Sequence, residues 1–192
     1  MTRRLFLALP APPIPQDLER RIDAAIAPLP GARRTLMEAR HITLAFLGDV
    51  EEEAIPSVRQ AMREAAQAAA PIPYALDRLG GFPGRTARIL ALTGRTPKAL
   101  AALALDLSRR LRERGIAVDE KLFRLHLTLA RLRSPQNLPQ EAIAEVRAAA
   151  EEIHLYESEL LSAGAHYTIM ETSPLSAALP PRQGPDSGEG GD

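Results

Sequence analysis

Two tetrapeptides in this chain repeat one pattern, His41-Ile42-Thr43-Leu44 and His126-Leu127-Thr128-Leu129. Each reads as a strand, and on a strand residues i and i+2 share a face. Each motif therefore points an imidazole and a hydroxyl the same way. An imidazole titrates near neutral pH, so a facing pair can divide the acid and base roles at one centre. One ring takes a proton from an attacking water and the other gives a proton to a departing oxygen. Thr43 and Thr128 are placed to hydrogen-bond non-bridging oxygens of a phosphate group, so that donors meet a five-coordinate phosphorus from both sides. The scheme needs no cofactor and no metal. Two histidines are also too few for a typical zinc site, which takes three or four ligands.

Other residues add to this pair. Arg131 lies five positions beyond His126, so strict alternation turns it to the opposite face. A bulge would bring its guanidinium back toward a phosphate. Phe82 sits in the stretch Gly80-Gly81-Phe82-Pro83-Gly84-Arg85, where an exposed ring could stack on a nucleobase and a buried one would anchor the loop. Arg85 and Arg88 read either as phosphate contacts or as ordinary surface charges. His154 and His166 lack the His-x-Thr-Leu frame and read as structural or surface residues, and Tyr167 reads either as a packed strand residue or as lining for a base-binding surface.

The elements that must position these groups follow from periodicity and punctuation. Residues 4–9 form an apolar strand, and 16–27 a helix closed by Pro28-Leu29-Pro30-Gly31. A short strand over 35–37 leads to the first histidine strand, 42–47. A long helix rich in Ala and Glu spans 51–70. Strands at 74–79 and 87–92 form a pair, and a helix starting at Thr96 or Pro97 runs to about 114, with Gly115 as its cap. The second histidine strand covers 125–132, an Ala-rich helix 139–151, and the last strands 153–160 and 166–171. Strand, helix and histidine strand thus occur twice in the same order, as in an internal duplication. The expected fold is α+β and bilobal: two pseudo-symmetric lobes of mainly antiparallel sheet, with outer helices and the active-site cleft between the lobes. Residues 1–175 form one such domain, and 176–192, rich in Pro, Gly, Ser and acid, read as a disordered C-terminal tail.

Composition narrows the class. The 192 residues carry 24 basic and 24 acidic side chains, for a formal net charge of zero. This argues against a broad basic face coating long nucleic acids. There is no Cys, hence no thiolate nucleophile and no disulfide. No stretch approaches the roughly 20 apolar residues of a membrane span. The expectation is a cytoplasmic protein, monomeric and without a membrane partner.

With these residues in view, the chain resembles the two-histidine phosphoesterase superfamily, and within it the RNA 2',3'-cyclic phosphodiesterases formerly called 2'-5' RNA ligases. The matching pieces are RRLFLALPAP, HITLAFLGDV, GRTARILAL, FRLHLTLARLR and LYESELLSAGAHYTIM. The resemblance implies hydrolysis of an RNA 2',3'-cyclic phosphate to a 2'-phosphate, with reversible 2'-5' ligation as a companion activity. It implies His41 as proton donor, His126 as proton acceptor and Thr43 and Thr128 as phosphate-binding hydroxyls. Leu125 stands where similar proteins often carry Pro, and there is no Trp. Weak base stacking is therefore expected, with an RNA 3' end or a small cyclic nucleotide as the substrate. The rival reading from another class is a non-catalytic RNA-end binding module of the same fold.

Overall fold

The first strand explains the layering. In β1 (Thr2–Pro10) every residue from Leu5 to Leu9 is buried, with no polar alternation. A strand reads this way when both faces are covered. Leu5, Leu7 and Leu9 point into the main core, whereas Phe6 and Ala8 point the other way and join Tyr156 in a small separate cluster. That second face becomes the floor of the site described below. The computed structural model describes residues 1–119, 121–161 and 164–177.

The strands form two antiparallel sheets. Beyond β1 they are β2 (Arg33–Arg34), β3 (His41–Glu51), β4 (Ile72–Phe82), β5 (Thr86–Thr93), β6 (His126–Asn137), β7 (Gln140–Ala150), β8 (Glu152–Leu161) and β9 (Gly164–Pro174). The first sheet has the order β3-β1-β8-β9 and the second β2-β6-β5-β4-β7. The helices are α1 (Gln16–Ile26), α2 (Ile55–Gln67) and α3 (Lys98–Glu113). One continuous apolar core links both sheets to the helices. It runs from Leu7 and Ile42 through Val58 and Met62 of α2 and Leu100 and Leu107 of α3 to Leu90 and Leu127. The fold is α+β, as the order of elements implies.

The duplication is visible in the pairing. β1 lies beside β3 with Pro10 opposite His41, and β5 lies beside β6 with Thr93 opposite His126. Both pairs slip register at the same place in the motif. Thr43 and Ala45 face Ala8 and Leu7, which leaves Leu44 over, and Thr128 and Ala130 face Ala91 and Leu90, which leaves Leu129 over. Each extra residue is buried together with its neighbour, and each bulge turns the following side chain back to the histidine face.

Helix α3 ends as its sequence implies. Gly115 takes φ 74°, its N–H donates to the Arg112 carbonyl and the Ile116 N–H donates to the Leu111 carbonyl. This is the paired closure of a Schellman motif, with the Ile116 side chain buried behind it.

Three expectations are corrected. Residues 140–150 form strand β7, not a helix. The segment pairs along β4 from Ile72 opposite Ala150 to Gly80 opposite Gln140, and Val146 and Ala150 are buried with half-buried Ala148 between them and exposed residues alternating. Local helix propensity of Ala and Glu is worth only tenths of a kcal/mol per residue, and ladder pairing with burial overrides it. The strand expected at 35–37 is instead β2 at Arg33–Arg34, followed by one turn of 3-10 helix at Met37–Ala39. The tail expected to start at 176 is docked at first: the N–H groups of Ser176 and Ala177 donate to the carbonyls of Ala66 and Ala69 at the end of α2. The rest of that expectation, 178–192, lies outside the described residues.

Candidate active site

The histidine strands of the two sheets touch each other, and each sheet presents one motif. His41 and Thr43 are half-buried on β3, and His126 and Thr128 are half-buried on β6, while Ile42, Leu44, Leu127 and Leu129 are buried on the core side. The alternation read in the sequence is therefore real in both motifs up to the bulge.

Both imidazoles are held by the same device. His41 Nδ1 lies 2.9 Å from the Ala39 carbonyl, and His126 Nδ1 lies 2.7 Å from the Arg124 carbonyl, each two residues upstream. A carbonyl only accepts, so each Nδ1 carries the hydrogen and donates it. In the neutral ring the lone pair then sits on Nε2. Each histidine keeps Nε2 for chemistry.

The packing around the two rings differs. Phe6 lies 4.6 Å from the His41 ring, Tyr167 meets it edge-on at 5.2 Å and Tyr156 lies at 5.7 Å. Phe6 and Tyr156 stack at 4.9 Å. His126 instead stacks face to face on Phe82, with centroids 3.9 Å apart and planes 9° from parallel. The Arg124 guanidinium also lies over the Phe82 ring, 5.0 Å from its centroid.

These surroundings set the protonation. Burial pushes His41 down to about 4, and the positive charges of Arg131 and His126 add to the effect. Burial lowers His126 as well, with help from Arg131 and Arg124. The Arg131 charge thus bears on both rings. The bulge at Leu129 is the reason, and it places Arg131 opposite Ile89 on the exposed face. In the other motif the same position is Phe46, opposite Phe6, with the Arg4 guanidinium 4.9 Å above its ring.

The structure thus brings together His41, Thr43, His126, Thr128 and Arg131. Phe82 is at the site too, but not as an open stacking platform: His126 stacks on its ring and the Arg124 guanidinium lies over it. Phe6 and Tyr156 were missed, and Tyr167, read either as packed or as lining a base-binding surface, lies against His41. The run LFLAL gives no alternation to show which side faces a cleft, so Phe6 could not be told from core. His154 is buried, with Nε2 2.7 Å from Glu152 Oε1 and Nδ1 3.1 Å from the Tyr156 hydroxyl. It is a structural residue that holds Tyr156 in the aromatic floor. Among the described residues no three His, Cys, Asp or Glu side chains gather where they could hold a metal ion, and no helix is long and apolar enough to cross a membrane.

A family model described as the 2'-5' RNA ligase superfamily matches residues 7–160, a span that contains both motifs and every site residue named above except Phe6 and Tyr167. The chain belongs to the 2'-5' RNA ligase superfamily. A relative in this superfamily, from Geobacillus stearothermophilus, is named RNA 2',3'-cyclic phosphodiesterase and is 34% identical over 162 residues. That alignment takes in 80% of this chain and 49% of the relative, so the chain spans about half of that protein's length. A second relative with the same name, from Methanothermobacter thermautotrophicus, is 29% identical over 143 residues, 70% of this chain and 77% of its own. Among solved structures, TT0787 of Thermus thermophilus superposes with a TM-score of 0.76 at 26% identity, covering 91% of this chain and 98% of that one. The two antiparallel sheets with few helices are therefore the fold of this superfamily.

Proposed function

We propose that this protein opens the 2',3'-cyclic phosphate of an RNA 3' end, or of a small cyclic nucleotide, and leaves a 2'-phosphate. The observation that carries the reading is the pair of imidazoles, one from each sheet, each with Nδ1 tied to a carbonyl and Nε2 left for proton transfer. The names of the relatives support the substrate class.

The cyclic phosphate sits between the rings, its non-bridging oxygens held by the Thr43 and Thr128 hydroxyls and the Arg131 guanidinium. His126 Nε2 takes a proton from water as the oxygen attacks phosphorus. The new P–O bond forms opposite the bond to the 3' oxygen, and that bond breaks. His41 Nε2 gives its proton to the departing oxygen. The hydrogen bond to Arg124 steadies the charge that His126 acquires, and the stacked Phe82 fixes its plane. His41 is neutral in the free protein, so its proton arrives with the substrate: the phosphate's negative charge offsets the repulsion from Arg131 and His126. With a 5'-hydroxyl in place of water, the same proton transfers join two strands by a 2'-5' linkage, and reversal cleaves it.

The reading is tested by incubating the protein in EDTA with a short RNA ending in a 2',3'-cyclic phosphate and identifying the product. The expected product is a 2'-phosphate. A 3'-phosphate would mean that the 2' oxygen is the one that departs, and no turnover with RNA still bound would favour a non-catalytic end-binding module.

A further inference from the structure

A pocket next to the site is lined by three arginines, Arg78, Arg95 and Arg124, against one carboxylate, Asp77. Several arginines elsewhere close on carboxylates, as Arg3, Arg34, Arg40, Arg110 and Arg114 do, while others such as Arg85 and Arg133 do not among the described residues. Among the described residues Arg78 and Arg95 form no ion pair, and both are exposed. The pocket is joined to His126 through the sheet itself. Arg78 of β4 lies opposite Thr93 of β5, and Thr93 lies opposite His126 of β6. Directly opposed residues share a face, so Arg78 projects from the same face two strands away, about 10 Å from the imidazole strand. Arg124 and Phe82 both line the pocket, with the Arg124 guanidinium over the Phe82 ring on which His126 stacks. Guanidinium groups without carboxylates, grouped within one nucleotide's reach of the reacting centre, are phosphate ligands by their chemistry. The floor under His41 is built of rings instead and suits a sugar or base.

We infer that this pocket holds the phosphate on the 5' side of the terminal nucleotide, so that the preferred substrate is an RNA strand end and not a free cyclic mononucleotide. The inference rests on the cyclic phosphodiesterase reading above and names its substrate class. The strand leaves the cleft over β5 toward β4, its terminal cyclic phosphate between the imidazoles and its next phosphate among Arg78, Arg95 and Arg124. A chain of zero net charge then needs no broad basic face, because recognition is confined to the last two phosphates.

The test measures kcat/KM for three substrates: a nucleoside 2',3'-cyclic phosphate, the same compound with a 5'-phosphate, and a dinucleotide ending in a 2',3'-cyclic phosphate. The added phosphate is expected to raise kcat/KM about tenfold or more, the scale of a hydrogen bond to a charged group, and the gain should shrink as salt rises. In an Arg78→Ala/Arg95→Ala double variant the gain should vanish while the cyclic mononucleotide is turned over within about twofold of the parent. Equal kcat/KM for all three substrates in the parent, or a gain that survives in the double variant, would overturn the inference while leaving the phosphodiesterase reading intact. Failure of the parent to turn over any of the three would sink both.

Discussion

Two histidines with the same sequence frame end up in different surroundings, and the difference bears on their roles. His41 sits against Phe6, Tyr156 and Tyr167, whereas His126 stacks on Phe82, a ring that the Arg124 guanidinium also lies over. A strongly depressed imidazole becomes a strong acid once it is charged, which suits the donor role proposed for His41. Each of His41→Ala and His126→Ala is predicted to lower kcat by about 10²–10⁴, with the folded state retained by circular dichroism. Sulfur in place of the bridging 3' oxygen separates the roles, because a thiolate departs without a proton. That substrate should restore turnover to His41→Ala and not to His126→Ala. Restoration of His126→Ala instead would exchange the two assignments. The motif residues were legible because paired His-x-Thr frames are visible in sequence, whereas Phe6 lay hidden in a strand that is apolar on both faces.

The entry to β3 is fixed from outside the strand. Arg40, immediately before His41, is buried with its guanidinium on Glu19 of α1, and its Nη2 donates to Glu19 Oε2 at 3.0 Å. The hydrogen bond from Arg40 holds the Glu19 carboxyl below the usual glutamate range. Glu19→Ala leaves the Arg40 charge buried without its partner, and is predicted to cost about 3–5 kcal/mol in denaturant unfolding. The sign with pH follows from the lowered value. The pair stabilises fully above the usual glutamate range and is lost as pH falls through the depressed value, so the parent and Glu19→Ala should converge in acid. A gap between them that does not change with pH would contradict this account. Elements with local signals were legible at this scale: α1 and α3 from their apolar spacing, the end of α3 from Gly115, the hairpin of β4 and β5 from its glycines. β7 was not, because its Ala and Glu favour helix and only the free edge of β4 makes it a strand. Nor were the bulges at Leu44 and Leu129, which depend on register between strands. Arg131 could thus be named as a candidate, but its face was decided by the bulge.

At the scale of the molecule, two copies of strand, helix and histidine strand meet around one small space and have diverged into different walls. The first sheet lines its histidine with Phe6, Tyr156 and Tyr167, and the second lines its own with Phe82, Arg124 and Arg131, which fits the proposed grip on an anion beside a flat group without net charge. The pseudo-symmetry was legible as repeated order in the sequence, and the divergence of the walls was not, since it depends on which side of β1, β4 and β8 faces inward. The central claim is that the two lobes place one acid and one base on a single phosphate, and the pH dependence of kcat/KM on a cyclic nucleotide tests it most directly. In the free protein both imidazoles titrate below 6.5, His41 at about 4. The singly protonated pair is most populated between their two values, titrating as a coupled pair. A bell-shaped profile is predicted, with its maximum below pH 6.5, and with the kcat maximum displaced upward because bound phosphate favours the charged rings. A profile with only one limb, or one that is flat across this range, would contradict the two-imidazole account.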